Sequence, residues 1–202
     1  MKLTESPDIL IMGHPVLFQV QPDVSLDELD QETFKHNLQV LRKSQIDSNG
    51  IGIAAPQIDW PVRVFSVGIS NENRKRYPQA PKIDFAFWIN PQIIDSSKET
   101  CWTWEACLSI PGMRAWVERP KTITLCGYNE KGKALEVSLD GFPARVIQHE
   151  LDHLDGILFP MRVDDKQLII PNEAIEHQSS WAEDWPTDNA RNTPRGQLSL
   201  HR

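Results

Sequence analysis

Two histidines stand four residues apart, with a glutamate directly after the first, in Gln148-His149-Glu150-Leu151-Asp152-His153-Leu154-Asp155-Gly156. On a helix, positions i and i+4 lie on one face, so both imidazoles can reach a single metal ion. Glu150 sits one residue further round, close enough to take a proton from water at the metal without being a ligand. Chance alone places such a pattern in roughly one chain of this length in a hundred. The motif names a metal and a general base, but not a reaction.

The residues after His153 bear on the third ligand. A metzincin protease would place a glycine and then a third histidine at fixed spacing. Here the glycine is Gly156, but Phe159 fills the histidine position. Another metalloprotease class takes a glutamate from a later helix, and Glu173 stands at a suitable distance. Pro160 and Pro171 oppose a continuous helix between, which favours a ligand from upstream. Cys107 is the candidate there, in Trp104-Glu105-Ala106-Cys107-Leu108-Ser109-Ile110-Pro111-Gly112. One thiolate and two imidazoles leave a fourth position open, as a hydrolytic site requires. The segment reads as irregular, ends in Pro-Gly and carries a carboxylate two residues before the cysteine. Cys101 and Cys126 read instead as small buried hydrophobes.

A third stretch is Asn49-Gly50-Ile51-Gly52-Ile53-Ala54-Ala55-Pro56-Gln57. Glycines at alternate positions allow close backbone approach to a ligand, and Gln57 offers an amide donor. No third glycine follows at dinucleotide spacing, and no Lys-Ser/Thr pair follows as in a P-loop. Taken alone, the stretch also fits a turn between a helix and a strand.

In this order the three stretches resemble peptide deformylase, whose members carry GxGxAAxQ, EGCLS and QHExDHLxG segments. The counterparts are Gly50 to Gln57, Glu105 to Ser109 and Gln148 to Gly156; Trp104, Pro111, Gly112, Arg114, Val117 and Arg119 extend the likeness. It is dense from about Gly50 to about Val163. One departure is Ala106, where the family has glycine. The resemblance implies a hydrolase that removes formate from formyl-methionyl peptides. It implies Cys107, His149 and His153 as ligands of one divalent metal, Fe(II) before Zn, Ni or Co, and Glu150 as base. Gln57 and the Leu108 N–H would stabilise an oxyanion. Ile51, Gly52, Glu105 and Ala106 would meet the peptide, while Gln148, Glu105 and Arg114 would orient ligands or nearby loops. The implied partners are nascent formyl-methionyl peptides, close to the ribosome. Two rivals are a metalloprotease using Glu173 and an idle peptide-binding relative altered at Ala106.

The elements that must position these residues can be read along the chain. Ser25-Leu26-Asp27-Glu28 reads as a capping box, with Phe34, Leu38 and Leu41 at helical spacing after it and Gly50 as the stop. Strands are predicted at 62–69, 85–89, 121–128 and 134–139, the last two joined by a hairpin through Asn129-Glu130-Lys131-Gly132. The metal helix is predicted to begin near Pro143 and to end at Gly156. Its Val146, Ile147, Leu151 and Leu154 need burial on more than one face. The predicted fold is therefore α+β, a central metal-binding helix surrounded by antiparallel sheets, as the resemblance also implies.

Composition agrees. The chain has 202 residues, 40% hydrophobic and 24% charged, enough for one domain with a core. A net charge of −7 argues against a nucleic-acid footprint. An odd cysteine count of 3 argues against a disulfide framework. The first residues lack the apolar stretch of a signal peptide and no run reaches membrane-spanning length, so the expectation is a cytoplasmic protein with no membrane contact. Residues 1–170 read as one catalytic domain. Residues 171–202 turn polar and read as a mobile extension, with Trp181 and Trp185 unexplained.

Overall fold

The structure, a computed structural model, describes residues 6–69 and 80–188. The run Phe142–Leu154 forms the helix, α2, on which the fold is built. Ten of its 13 residues are buried, so only a helix enclosed by other elements satisfies this sequence. Gly141 precedes it with φ of 61°, and Pro143 occupies its first turn, where a missing N–H costs nothing. At the other end Gly156 has φ of 70°. The Ile157 N–H bonds the Asp152 carbonyl at 2.8 Å and the Gly156 N–H that of His153 at 3.4 Å, the two bonds of a Schellman cap. A Cβ at Gly156 would also lie 2.7 Å from the Phe18 carbonyl carbon, so glycine is required there twice over.

Two antiparallel sheets surround α2. The larger has the order β1-β2-β3-β6-β7, from Gly52–Ala54, Val64–Val67, Ala86–Ser96, Thr122–Tyr128 and Ala134–Asp140. The smaller has the order β4-β5-β8, from Thr100–Cys107, Ile110–Pro120 and Ile169–Pro171. Val146, Ile147, Leu151 and Leu154 of α2 pack with Phe65, Val67, Ile123 and Leu125 of the large sheet. A second helix, α1 (Glu32–Asp47), buries Phe34, Leu38 and Leu41 against Ile53, Val64 and Ile89. A third cluster joins Trp116 and Val117 of β5 to Leu158, Phe159 and Val163 beyond α2. The predicted α+β architecture is the one observed. Among the described residues no helix is long and apolar enough to cross a membrane.

Several local expectations are corrected. The Ser25 side chain makes no cap; Leu26–Glu28 is a separate 3-10 turn, and α1 begins only at Glu32. Val24 and Leu29 are drawn into the α1 core, and this sets the chain's path ahead of the helix. The stop is Asn49 (φ 54°), one residue before Gly50, whose N–H closes back on the Gln45 carbonyl at 2.9 Å. Strand β3 runs beyond its predicted end at 89, through Pro91 to Ser96. A register shift between Ile89 and Gln92 accommodates the proline.

Strands β1, β4, β5 and β8 were not predicted. Cys107 lies at the end of β4, not in an irregular segment, and a bulge separates its pairing from that of Ala106. The C-terminal expectation is corrected too. The boundary at 170 falls inside β8, which pairs Met113 with Pro171 and Ala115 with Ile169. Beyond it Ile175 is 4% exposed, and Trp181 and Trp185 pack on Trp104, so the chain to Asp188 is docked. The remainder of the expected extension, 189–202, lies outside the described residues.

Candidate metal centre

Helix α2 presents His149 and His153 on one face, with ring centroids 5.2 Å apart. The end of β4 brings Cys107 to them, with Sγ 3.2 Å from His153 Nε2. Among the described residues these three form the one group suited to a metal, their ligand atoms all within 4.8 Å of one another. Glu173 is not part of it: it is exposed, on the 3-10 helix after β8, and the metalloprotease ligand set is not assembled.

Second contacts orient each ligand. His149 Nδ1 meets Glu105 Oε2 at 2.8 Å, which turns Nε2 toward the other two ligands. The Ser109 N–H donates to Cys107 Sγ at 3.4 Å, and Gln57 Nε2 lies 3.6 Å from the same sulfur. The buried His153 Nδ1 and Glu150 Oε2 have no hydrogen-bond partner among the described residues. One thiolate and two imidazole nitrogens at this spacing fit a divalent transition ion.

Glu105 is the hub beneath the ligands. Its Oε1 accepts from Arg119 Nε and Arg145 at 2.6 Å each, and its Oε2 accepts from Arg119 at 2.9 Å besides meeting His149. Arg119 also reaches Asp152 at 2.9 Å, and Asp152 pairs with Arg162. Burial alone would raise the Glu105 pKa, but Arg119 and His149 outweigh it and hold the carboxyl well below the usual range. Burial would likewise lower His149, but hydrogen bonds and charge from Cys107 and Glu105 raise it well above the ordinary value. His153 is lowered well below the ordinary value by burial and by the charges of His149 and Arg119. Removing one member of such a buried pair costs about 3–5 kcal/mol, because its partner's charge is left uncompensated.

Glu105 was expected to meet peptide; it lines the cleft, and both its oxygens are at the same time engaged within the protein. Gln148 and Arg114 were expected to orient ligands or nearby loops. Gln148 donates to the Pro120 and Ala144 carbonyls, tethering the ligand-bearing α2 to β5, and Arg114 donates to Asn172 on the C-terminal segment. Arg119, Arg145 and Asp152 were given no role in the sequence reading. Arg145 carried a usable signal, standing four residues before His149 and so on its face. Arg119 and Asp152 stood within the resemblance, Asp152 at a fixed position of the QHExDHLxG segment, but residue type gave them no role, since charged residues in a strand and a helix ordinarily face water.

Glu150 lies against β1. A Cβ at Gly52 would fall 2.3 Å from its Oε1, so the second glycine of the first motif clears space for this carboxyl. Burial, the largest influence, pushes the Glu150 pKa up to about 7. The unfolded chain therefore ionises this group first, and its presence lowers the stability of metal-free protein as pH rises from about 4.5 through 7. Glu150→Gln removes that loss. In metal-free protein it is expected to raise unfolding free energy by up to about 3 kcal/mol at pH 8 and to change little at pH 4, measured by urea melts.

The centre opens into a cleft of about 210 Å³, lined by Ile51, Gly52, Gln57, Trp104, Ala106, Leu108, Phe142 and Val146, with His149 and Glu150. Ala106 is exposed there and is not among the non-glycine residues with positive φ.

Fold and centre together define an α+β domain with a Cys/His/His site beside a buried carboxyl, a hydrolase type of arrangement. The chain belongs to the polypeptide deformylase family, whose description matches residues 7–168. It is 43% identical over 158 residues to peptide deformylase 1 of Prochlorococcus marinus, covering 78% of this chain and 81% of that one. Peptide deformylase 1 of Nitrosomonas europaea is 39% identical over 157 residues, covering 78% and 87%. Among solved structures, the Met-Ala-Ser-bound class I type b peptide deformylase from Acinetobacter baumannii superposes with a TM-score of 0.75. It is 34% identical and covers 80% of this chain and 100% of its own.

Proposed function

We propose that this protein removes the formyl group from the N-terminal formyl-methionine of newly made peptides, releasing formate, with a divalent ion held by Cys107, His149 and His153. The observation that carries the reading is the buried Glu150 beside that donor set, its Oε2 unpartnered among the described residues, at the base of an open cleft. A divalent cation there supplies Lewis acidity, which polarises a carbonyl and makes water a better proton donor. The Glu150 carboxylate takes a proton from the attacking water as the oxygen joins the formyl carbon. It returns the proton to the amine nitrogen as the C–N bond breaks. Gln57 Oε1 accepts from the Ala54 N–H at 2.8 Å, and its Nε2 lies 3.1 Å from Ser109 Oγ and 3.6 Å from Cys107 Sγ; in this reading that amide nitrogen turns a donor to the developing oxyanion. The Leu108 N–H, in the turn after Cys107, is the second donor in this reading.

Strand β1 is at the edge of its sheet, paired on one side with β2, and its other side offers backbone groups to an extended peptide. Ile51, Leu108, Phe142 and Val146 give the methionine side chain an apolar seat. That the Acinetobacter neighbour is bound to Met-Ala-Ser supports the same placement here. The family likeness favours Fe(II), with Zn, Ni or Co as substitutes. The substrates place the work close to the ribosome in the cytoplasm, by way of the peptide and without a nucleic-acid footprint of the chain's own. Anaerobic loading with Fe(II) and assay with formyl-Met-Ala is expected to release formate at an ordinary enzymatic rate, without cleavage of internal bonds. Absence of formate release would end this reading.

Ala106 does not make the site idle in this reading, because its backbone suits an alanine and its methyl only narrows the cleft. Ala106→Gly is expected to change KM between peptides severalfold while leaving kcat within about twofold. A large rise in kcat at constant KM would show that the methyl misplaces the Leu108 N–H.

A further inference from the structure

We propose that Thr103 is a specificity-determining residue at the far end of the first side chain's seat, and that its hydroxyl lets the protein process peptides beginning with formyl-methionine sulfoxide. The proposal rests on the deformylase reading above. On α2 the cleft is lined by Phe142, Arg145, Val146 and His149, whose spacing of three, four and seven residues makes one helix face. Strand β4 runs across from that face, and its Cys101, Thr103 and Glu105 alternate onto a single side of the strand. Arg145 touches both residues that flank Thr103. Its Nη1 donates to Glu105 Oε1 at 2.6 Å, and its Nη2 donates to the Cys101 carbonyl at 2.6 Å. Nη1 also donates, at 3.1 Å, to the carbonyl of Val117, the residue paired with Thr103 across β4 and β5. Thr103 is thereby placed over Arg145, and it lines the cleft.

The reacting formyl carbon sits beside Glu150 and the ligands, at the His149 end of this face. From His149 to Arg145 is about one helical turn, or about 5.4 Å, a span that the thioether end of a methionine side chain reaches. There the seat changes character. Ile51, Phe142 and Val146 are apolar, whereas the Thr103 hydroxyl makes no hydrogen bond among the described residues. A thioether is a weak acceptor, so with methionine this hydroxyl gains little. Oxidation sets a strong oxygen acceptor on the sulfur and makes the side chain polar and chiral. A wholly apolar seat would leave that oxygen unsatisfied, which weakens binding roughly tenfold to a hundredfold. Thr103 supplies the missing donor. Because the hydroxyl stands on one wall only, it meets one sulfoxide epimer and not the other.

The test measures formate release by the Fe(II)-loaded full chain from formyl-Met-Ala, formyl-norleucyl-Ala and each epimer of formyl-Met(O)-Ala. Water adds across the formyl C–N bond in every case, and the sulfoxide leaves unchanged in Met(O)-Ala. Wild type is expected to process one epimer with kcat/KM within about tenfold of formyl-Met-Ala. Thr103→Val keeps the shape and removes the hydroxyl, and it lowers the ratio of that epimer to formyl-Met-Ala by at least roughly tenfold. Thr103→Ser restores the ratio. The ratio of formyl-norleucyl-Ala to formyl-Met-Ala, neither of which carries the oxygen, does not move. A deficit beyond about tenfold for both epimers in wild type, or a smaller or substrate-independent loss in Thr103→Val, would overturn the proposal. Calorimetric titration with Met-Ala and both epimers of Met(O)-Ala reads the same preference without turnover. An epimer preference there with no formate release from formyl-Met-Ala would sink the deformylase reading and leave the role of Thr103 standing.

Discussion

Glu150→Gln is expected to lose at least about a hundredfold in kcat while keeping its metal and its fold, the lower range for losing a general acid–base group. Glutamine is nearly isosteric, so it still fits the space that Gly52 leaves against Oε1. Its amide cannot accept the water's proton, so both the attack and the protonation of the leaving amine suffer. Formate release from formyl-Met-Ala measures the rate, and metal content measured on the same sample shows whether the centre survived. A near-normal rate would move the proton transfer to another group. Glu105 is a poor substitute, since Arg119, Arg145 and His149 already occupy both of its oxygens.

Cys107→Ser is expected to bind metal at least roughly tenfold to a hundredfold more weakly, because a neutral hydroxyl replaces a thiolate in a set of three. Glu173→Ala, at an exposed position of the 3-10 helix after β8, is expected to keep normal metal content and normal activity. Elemental analysis after dialysis against a weak chelator separates the two variants. Full metal content in Cys107→Ser would mean that the sulfur, although 3.2 Å from His153 Nε2, is not a ligand.

The helix that carries the centre was legible because α2 combines a metal-binding spacing with apolar residues on several faces, and its ends bear proline and glycine where helix geometry asks for them. Part of the large sheet was legible for a related reason: β6 and β7 alternate and are joined by a recognisable turn, whereas its edge strand β1 was hidden in a stretch that also fits a turn. The small sheet was not, and the cause is chemical. In β4 and β5 the alternation is broken by Glu105, Arg114 and Arg119, which ordinarily mark a surface but here are buried among partners far apart in sequence. The same residues hid the support of His149, because an arginine becomes informative only when the carboxylate it meets is known. Pairing of Trp104 with Trp181 and Trp185 was illegible on the same ground. Two tryptophans in a polar stretch went unexplained, because nothing in the stretch itself says what they pack against.

The way Glu105 is held has a consequence for how the centre handles different ions. Its carboxylate is clamped by Arg119 and Arg145, and the cores on either side of α2 are closed by apolar packing. The donor atoms are thus held in place by the protein's own framework, and the ion is not asked to organise the chain. In small zinc modules the ion's binding energy is the folding energy, and stripping the ion unfolds them. Here folding and metallation are expected to be separable, so stripped protein should reload with one divalent ion after another in the same seat. A seat with nitrogen and sulfur donors suits iron, cobalt, nickel and zinc in ligand type, and by the general affinity order holds iron the most weakly of the four. Which ion is resident then becomes a matter of supply and of exchange rate, so the occupant records the chemical surroundings in which the chain was made.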